Sequence, residues 1–182
     1  MEEIRELKER LETQRPVEWD ALPDLNLYMD QVISYMSRQL IHYEEEDQLT
    51  SAMVNNYIKD DLLPRAEGKR YGRTHLAYLT AICALKQVLP VRDAGFVVNR
   101  NAGEGPREMY DLFRDTLDGA LAGTAGELDE GVSEDELCRL AMTLALRSYA
   151  EKLACQRVVE LIREKTPRPE GKDKKSRKEE NR

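Results

Sequence analysis

The sequence predicts an all-α protein. Three observations carry that expectation. Apolar residues recur at helical spacing in stretch after stretch, no strand-type run of any length appears, and aromatics are 6% of residues against 35% charged. At 182 residues the chain is long enough for one buried core with a small appended segment.

The first element is a thin amphipathic helix from Met1 to Gln14, with Ile4, Leu7 and Leu11 on one stripe. Pro16 and Pro23 bracket an extended stretch holding the single tryptophan, Trp19, whose expected role is a buried anchor. Residues 1–22 therefore read as an N-terminal helix and arm. A second helix is expected from Asn26 to His42, followed by the acidic run Glu44–Asp47 as a solvated turn. A third starts at Thr50 and ends before Pro64, because a residue preceding proline is pushed out of the helical region. Pro64 to Arg73 reads as a loop or short hairpin turning at Gly68 and Gly72.

Thr74 is placed to cap a fourth helix that Pro90 stops. Val91 to Asn99 is a short apolar helix, and 23–99 forms one domain. The glycines of Asn101–Pro106 are not a phosphate cradle, since no strand precedes them and no Lys-Ser/Thr follows. Arg107 to Ala122 is amphipathic, with Gly123, Gly126 and Gly131 expected to interrupt it. Ser133-Glu134-Asp135-Glu136 is a capping box for a last helix reaching Lys165, roughly 50 Å long at 1.5 Å per residue. Residues 107–165 form a C-terminal helical dimerisation or effector region. The tail 166–182 holds seven basic and four acidic residues and no large apolar one, which predicts disorder.

Lys and Arg number 28 against 35 acids, a net charge of -7, so the chain is no bulk polyanion binder. Any nucleic-acid contact has to come from a local basic patch. Cys83, Cys138 and Cys155 lie far apart among apolar residues, which predicts buried thiols in a reducing compartment. No apolar run approaches a membrane span and the start is unlike a signal peptide. The expected location is cytoplasmic, with no membrane partner. No His/Cys/carboxylate cluster has metal spacing, and no nucleophile–base–acid set has a recognisable signature. No metal, cofactor or enzymatic activity is expected.

The informative segment is Thr50 to Arg73. On a helical wheel Met53, Val54, Tyr57 and Ile58 share an arc of roughly 140°. Ala52, Asn55, Asn56 and Lys59 occupy the opposite side, with Ser51 at the border. Asn suits adenine and Lys suits guanine or phosphate in the major groove. Arg65, Lys69, Arg70 and Arg73 then follow within nine residues against Glu67 alone, a local +3 on an acidic chain. A basic hairpin tip beside such a helix is what contact with the phosphate backbone requires.

These residues carry a resemblance. Tyr57 to Arg65, then Lys69-Arg70-Tyr71, then Thr74-His75-Leu76 resemble the winged-helix signature of the mercury-resistance (MerR) regulators. Asp24 to Val32, Leu49 to Lys59 and Leu85 to Leu89 resemble more closely the YkrK-like uncharacterised bacterial family, domain of unknown function 1836. The resemblance implies a MerR-like winged helix-turn-helix followed by a C-terminal helical region with one long helix. It implies a transcriptional regulator that binds double-stranded DNA as a homodimer, with room for an unidentified small-molecule effector. Ser51, Asn55, Asn56 and Lys59 are then the base-contact candidates, and Arg65, Lys69, Arg70, Tyr71 and Arg73 the phosphate-contact candidates. A non-catalytic helical protein–protein interaction module that has lost DNA binding is the alternative, favoured by the acidic body.

Overall fold

The computed structural model describes residues 2–41, 48–129, 131 and 133–166. Seven α-helices and one 3-10 turn occur among them: α1 (Glu2–Thr13), the turn Trp19–Ala21, α2 (Met29–Met36), α3 (Ser51–Lys59), α4 (Arg73–Leu85), α5 (Val91–Asn101), α6 (Pro106–Gly126) and α7 (Glu134–Lys165). No strand is formed by the described residues beyond isolated bridges, so the fold is all-α. His42, the acidic run 44–47 and the tail after Thr166 lie outside the described residues.

The core is built around α4. Leu76, Ala77, Leu79 and Ile82 are fully buried, because this helix is apolar on every side and is wrapped by α2, α5 and α6. Val32 and Met36 come from α2, Val54 and Tyr57 from α3, Met109 and Tyr110 from α6. Removal of these side chains from water, at about 25 cal/mol per Å2 of apolar surface, is the main force holding α3 in place. Leu62 and Leu63 continue the same core and carry the chain out of α3. At Gly95 of α5 a methyl group would sit 2.7 Å from the Leu62 side chain, so the close seating of α5 on the α3 exit depends on that glycine.

Residues 14–28 run over the surface and are laced to α6. Tyr110 donates its hydroxyl to the Val17 carbonyl at 2.9 Å, Arg114 donates to the Pro16 carbonyl at 3.1 Å, and Arg107 forms a two-pronged pair with Asp20 at 2.7 and 3.1 Å. Trp19 is half-buried against Tyr110, with ring centres 6.1 Å apart. The N-terminal helix packs on α6 as well, through its half-buried Ile4, Leu7 and Leu11.

Four local expectations change. The second helix is shorter than the 26–42 pattern at both ends. The backbone of Leu27 pairs with Tyr71 in both directions at 2.9 Å, so the helix starts at Met29. It stops at Met36, where Arg38 and Gln39 donate to the Tyr35 and Met36 carbonyls in tight turns. The fourth helix is capped at Gly72, not Thr74: the Gly72 N–H donates to Nδ1 of His75 at 3.1 Å. The sixth helix runs through Gly119 and Gly123 to Gly126, because packing against α1 outweighs about 1 kcal/mol lost per helical glycine. Of the three cysteines only Cys83 is buried; Cys138 is exposed and Cys155 half-covered, since the long last helix offers them too few neighbours.

That helix, α7, is 32 residues long and lies largely on the surface. Its C-terminal part is held by Val159 against Leu89 and Ala94, and by Arg163, which pairs with Asp93 at 2.6 Å and lies over Phe96. Its start is fixed by the Glu136 carboxylate, which accepts from the Ser133 N–H at 2.7 Å and hydroxyl at 2.6 Å. Those bonds lower the Glu136 pKa, the hydroxyl contact contributing most.

Candidate nucleic-acid interface

Helix α3 buries one face and presents the other. Thr50 caps it by accepting from the Met53 N–H at 3.2 Å. Val54 and Tyr57 are buried while Met53 and Ile58 are partly covered, all on the core side. Ser51, Ala52, Asn55, Asn56 and Lys59 are exposed. Two amides and an ammonium thus stand on one solvent-facing strip with a small residue among them. Burial holds the Tyr57 phenol protonated, pushing its pKa to about 12, with the nearby Cys83 adding to the shift.

The segment after α3 folds into a two-residue hairpin. Glu67 and Arg70 exchange backbone hydrogen bonds of 3.0 and 3.2 Å around Gly68 and Lys69. Both turn residues have positive φ, 56° and 62°, the signature of a type I′ turn. Gly68 takes that geometry freely; Lys69, at the tip, is a non-glycine residue in the left-handed region, with its side chain exposed. The hairpin is tied down at its base by the Leu27–Tyr71 bridge and by His75, whose Nε2 lies 3.3 Å from the Arg65 carbonyl. With Nδ1 accepting from Gly72, the proton is assigned to Nε2, which donates to Arg65.

The five phosphate candidates separate into two groups. Arg65, Lys69 and Arg70 are exposed on the hairpin. Arg70 lies against the Tyr28 ring, 4.9 Å from its centre, and donates to the Tyr28 hydroxyl at 2.8 Å. Tyr71 and Arg73 are turned inward. Tyr71 is 4% exposed and meets the His75 ring edge-on, its pKa raised by burial. Arg73 is half-buried, donates to the Leu22 carbonyl at 3.1 Å and lies over Trp19, and its Nε is buried without a hydrogen-bond partner. The alternation of residues along the hairpin accounts for this: 70 points out, 71 in. Arg73 then belongs to the first turn of α4, beneath the arm.

Lys59, Arg65, Lys69 and Arg70 therefore make up the exposed cations of α3 and the hairpin. Tyr28 and His75 are the participants that sequence reasoning missed. The Asn26–Met29 stretch reads as the start of a helix by spacing, and only the pairing with Tyr71 turns Tyr28 toward the hairpin. A conventional helix-turn-helix joins its helices by a three- or four-residue turn; here residues 37–50 separate α2 from α3.

Among the described residues no group of three or more His, Cys, Asp or Glu is placed to hold a metal ion. No helix of the described residues is long and apolar enough to cross a membrane. Residues 17–113, just over half of the chain, match the family model "Domain of unknown function (DUF1836)". The match spans the arm, α2 to α5, the hairpin and the first part of α6, so both faces of the candidate interface fall inside it, while α7 lies beyond it. No curated protein and no solved structure matches the chain, and the MerR likeness gains no support from either comparison.

Proposed function

The chain belongs to the DUF1836 family, and on that premise we propose that it is a non-catalytic, cytoplasmic transcriptional regulator that binds double-stranded DNA through α3 and the hairpin, in the manner of a MerR-like winged helix-turn-helix. The observation that carries the reading is the placement of Arg65, Lys69 and Arg70 on a hairpin that is anchored to the start of α4 and follows directly from α3. Asn55, Asn56 and Lys59, with Ser51 at the edge, would meet base edges in the major groove. The three hairpin cations would hold phosphate on either side and fix the register. Arg73 and Tyr71 have no contact role in this reading; they brace the hairpin from beneath.

The test is selection of the purified full chain on a random duplex pool at low salt, followed by a salt titration. Enrichment of one sequence with a steep salt dependence supports the reading, with a slope of about -0.9 for each phosphate neutralised. Absence of binding at low salt removes it. A second reading, a helical module kept for protein contact, is favoured by the wide apolar surface of α7 and by Leu112 and Val88, all exposed outside the interface.

A further inference from the structure

Four apolar side chains of α7 face solvent in a row. Met142, Leu146, Tyr149 and Leu153 are 65, 61, 61 and 48% exposed. Spacings of four, three and four residues place them in a stripe about 60° wide and about 16 Å long. The opposite side of the same helix is the one that touches the body, through Cys155 and Val159. Scattered apolar residues on a surface need no explanation, but a contiguous row of four does.

A second uncovered apolar surface lies between α4, α5 and α6, a groove of about 460 Å3. Its α6 wall runs from Met109 to Ala120, again about 16 Å of helix. Ala81, Ala84 and Ala120 leave room in its lining, and Leu112 and Val88 stand exposed beside them. The groove therefore matches the stripe in length, and its hollows suit branched and aromatic side chains.

We propose that the protein forms a two-fold dimer in which the α7 stripe of each copy seats in the α4–α5–α6 groove of the other. The proposal goes beyond the DNA-binding reading and does not depend on it. Two magnitudes decide against simple pairing of α7 with α7. The positions that would extend the seam are Asp135, Arg139, Gln156 and Glu160, so stripe on stripe spans two heptads where a sustained coiled coil needs three to four. Such a pair would cover about 400 Å2 on each copy, about 800 Å2 in total, the range of adventitious lattice contacts. Reciprocal seating covers both stripes and both grooves, about 1,100 Å2, which clears the roughly 1,000 Å2 expected of a specific interface. The contact is helix-in-groove, repeated by the two-fold axis, so it closes on itself and does not propagate into fibres. Polar residues at each end of the stripe keep the helix from sliding along the groove.

The test is sedimentation velocity of the full chain over a concentration series. A dimer is expected for the natural sequence. Leu146→Glu on the stripe and Leu112→Glu on the groove rim should each weaken dimerisation at least tenfold, and both positions are exposed enough for the variants to keep their helical circular dichroism. An equimolar mixture of the two variants should associate more tightly than either variant alone, because both substitutions then fall in one of the two contacts and the other is intact. A natural chain that stays monomeric overturns the proposal. So does a Leu112→Glu variant that dimerises normally, which assigns the contact to α7 alone, and so does a mixture that associates no more tightly than the separate variants.

Discussion

The guanidinium of Arg70 rests on Tyr28, 4.9 Å from the ring centre, with a 2.8 Å hydrogen bond to the hydroxyl. The two residues are 42 positions apart, and the Leu27–Tyr71 bridge brings them together. One donor of the five on the guanidinium is used, so the group is oriented but still able to take a phosphate. Arg70→Ala should weaken DNA binding evenly across sequences and lower the salt slope by about 0.9 per protomer. Tyr28→Ala should weaken binding a few-fold with an unchanged slope, since the charge remains and only its orientation is lost. Titrations of both variants at several salt concentrations separate the two effects.

Arg73 should behave in the opposite way. It holds the Leu22 carbonyl and the face of Trp19, so Arg73→Ala should lower folding stability by about 1–2 kcal/mol. The salt slope of DNA binding should stay that of the natural chain. Urea unfolding and a salt titration on the same preparation check both halves of the expectation.

Lys69 sits at φ 62° at the tip of the hairpin, a conformation asparagine accepts more readily. Lys69→Asn should leave stability equal or raise it by a few tenths of a kcal/mol, while removing one phosphate contact. A lower melting temperature would contradict the type I′ assignment.

Asn55 is exposed in the middle of the outer strip of α3. Asn55→Ala should relax preference at one base position by about 1–3 kcal/mol and leave non-specific binding alone. Repeating the selection with the variant shows whether a single column of the recovered site loses its preference.

High pH should destabilise the protein through Cys83. Burial raises this thiol from 9.0 to about 11, the nearby Lys86 opposing the shift in part. The unfolded chain thus ionises first, so stability present below pH 9 is lost as the pH climbs toward 11. The shift of two units corresponds to about 2.7 kcal/mol. Tyr57, with its pKa pushed to about 12, extends the loss above pH 10. Urea unfolding at neutral pH and near pH 11 should show the drop, and Cys83→Ala should make it shallower.

Much of the helical framework was legible from spacing and punctuation. Gly68 marks the hairpin turn, but α3 ends at Lys59 and α4 at Leu85, each five residues before the proline expected to stop it. After α3 the chain turns at Asp61, φ 56°, and buries Leu62 and Leu63. The packed and exposed faces of α3 fall where the wheel puts them, because a nine-residue helix on one core has a single way to bury Val54 and Tyr57. The misses share a cause: each is a local pattern overruled by a distant contact. Leu27 is drawn out of the second helix by Tyr71, Gly123 is kept in a helix by α1, and Cys138 is left exposed because no described segment covers it.

By itself, then, the sequence determined the all-α class, the polar strip of α3, the basic hairpin and the length of the last helix, since these depend on residue type and spacing within one segment. Tertiary structure alone decided that Arg70 faces solvent on Tyr28 while Arg73 lies under Trp19, and that α7 carries its apolar stripe outward. Those outcomes depend on which surface of a segment another segment covers, and pairings across dozens of residues leave no local trace in the chain.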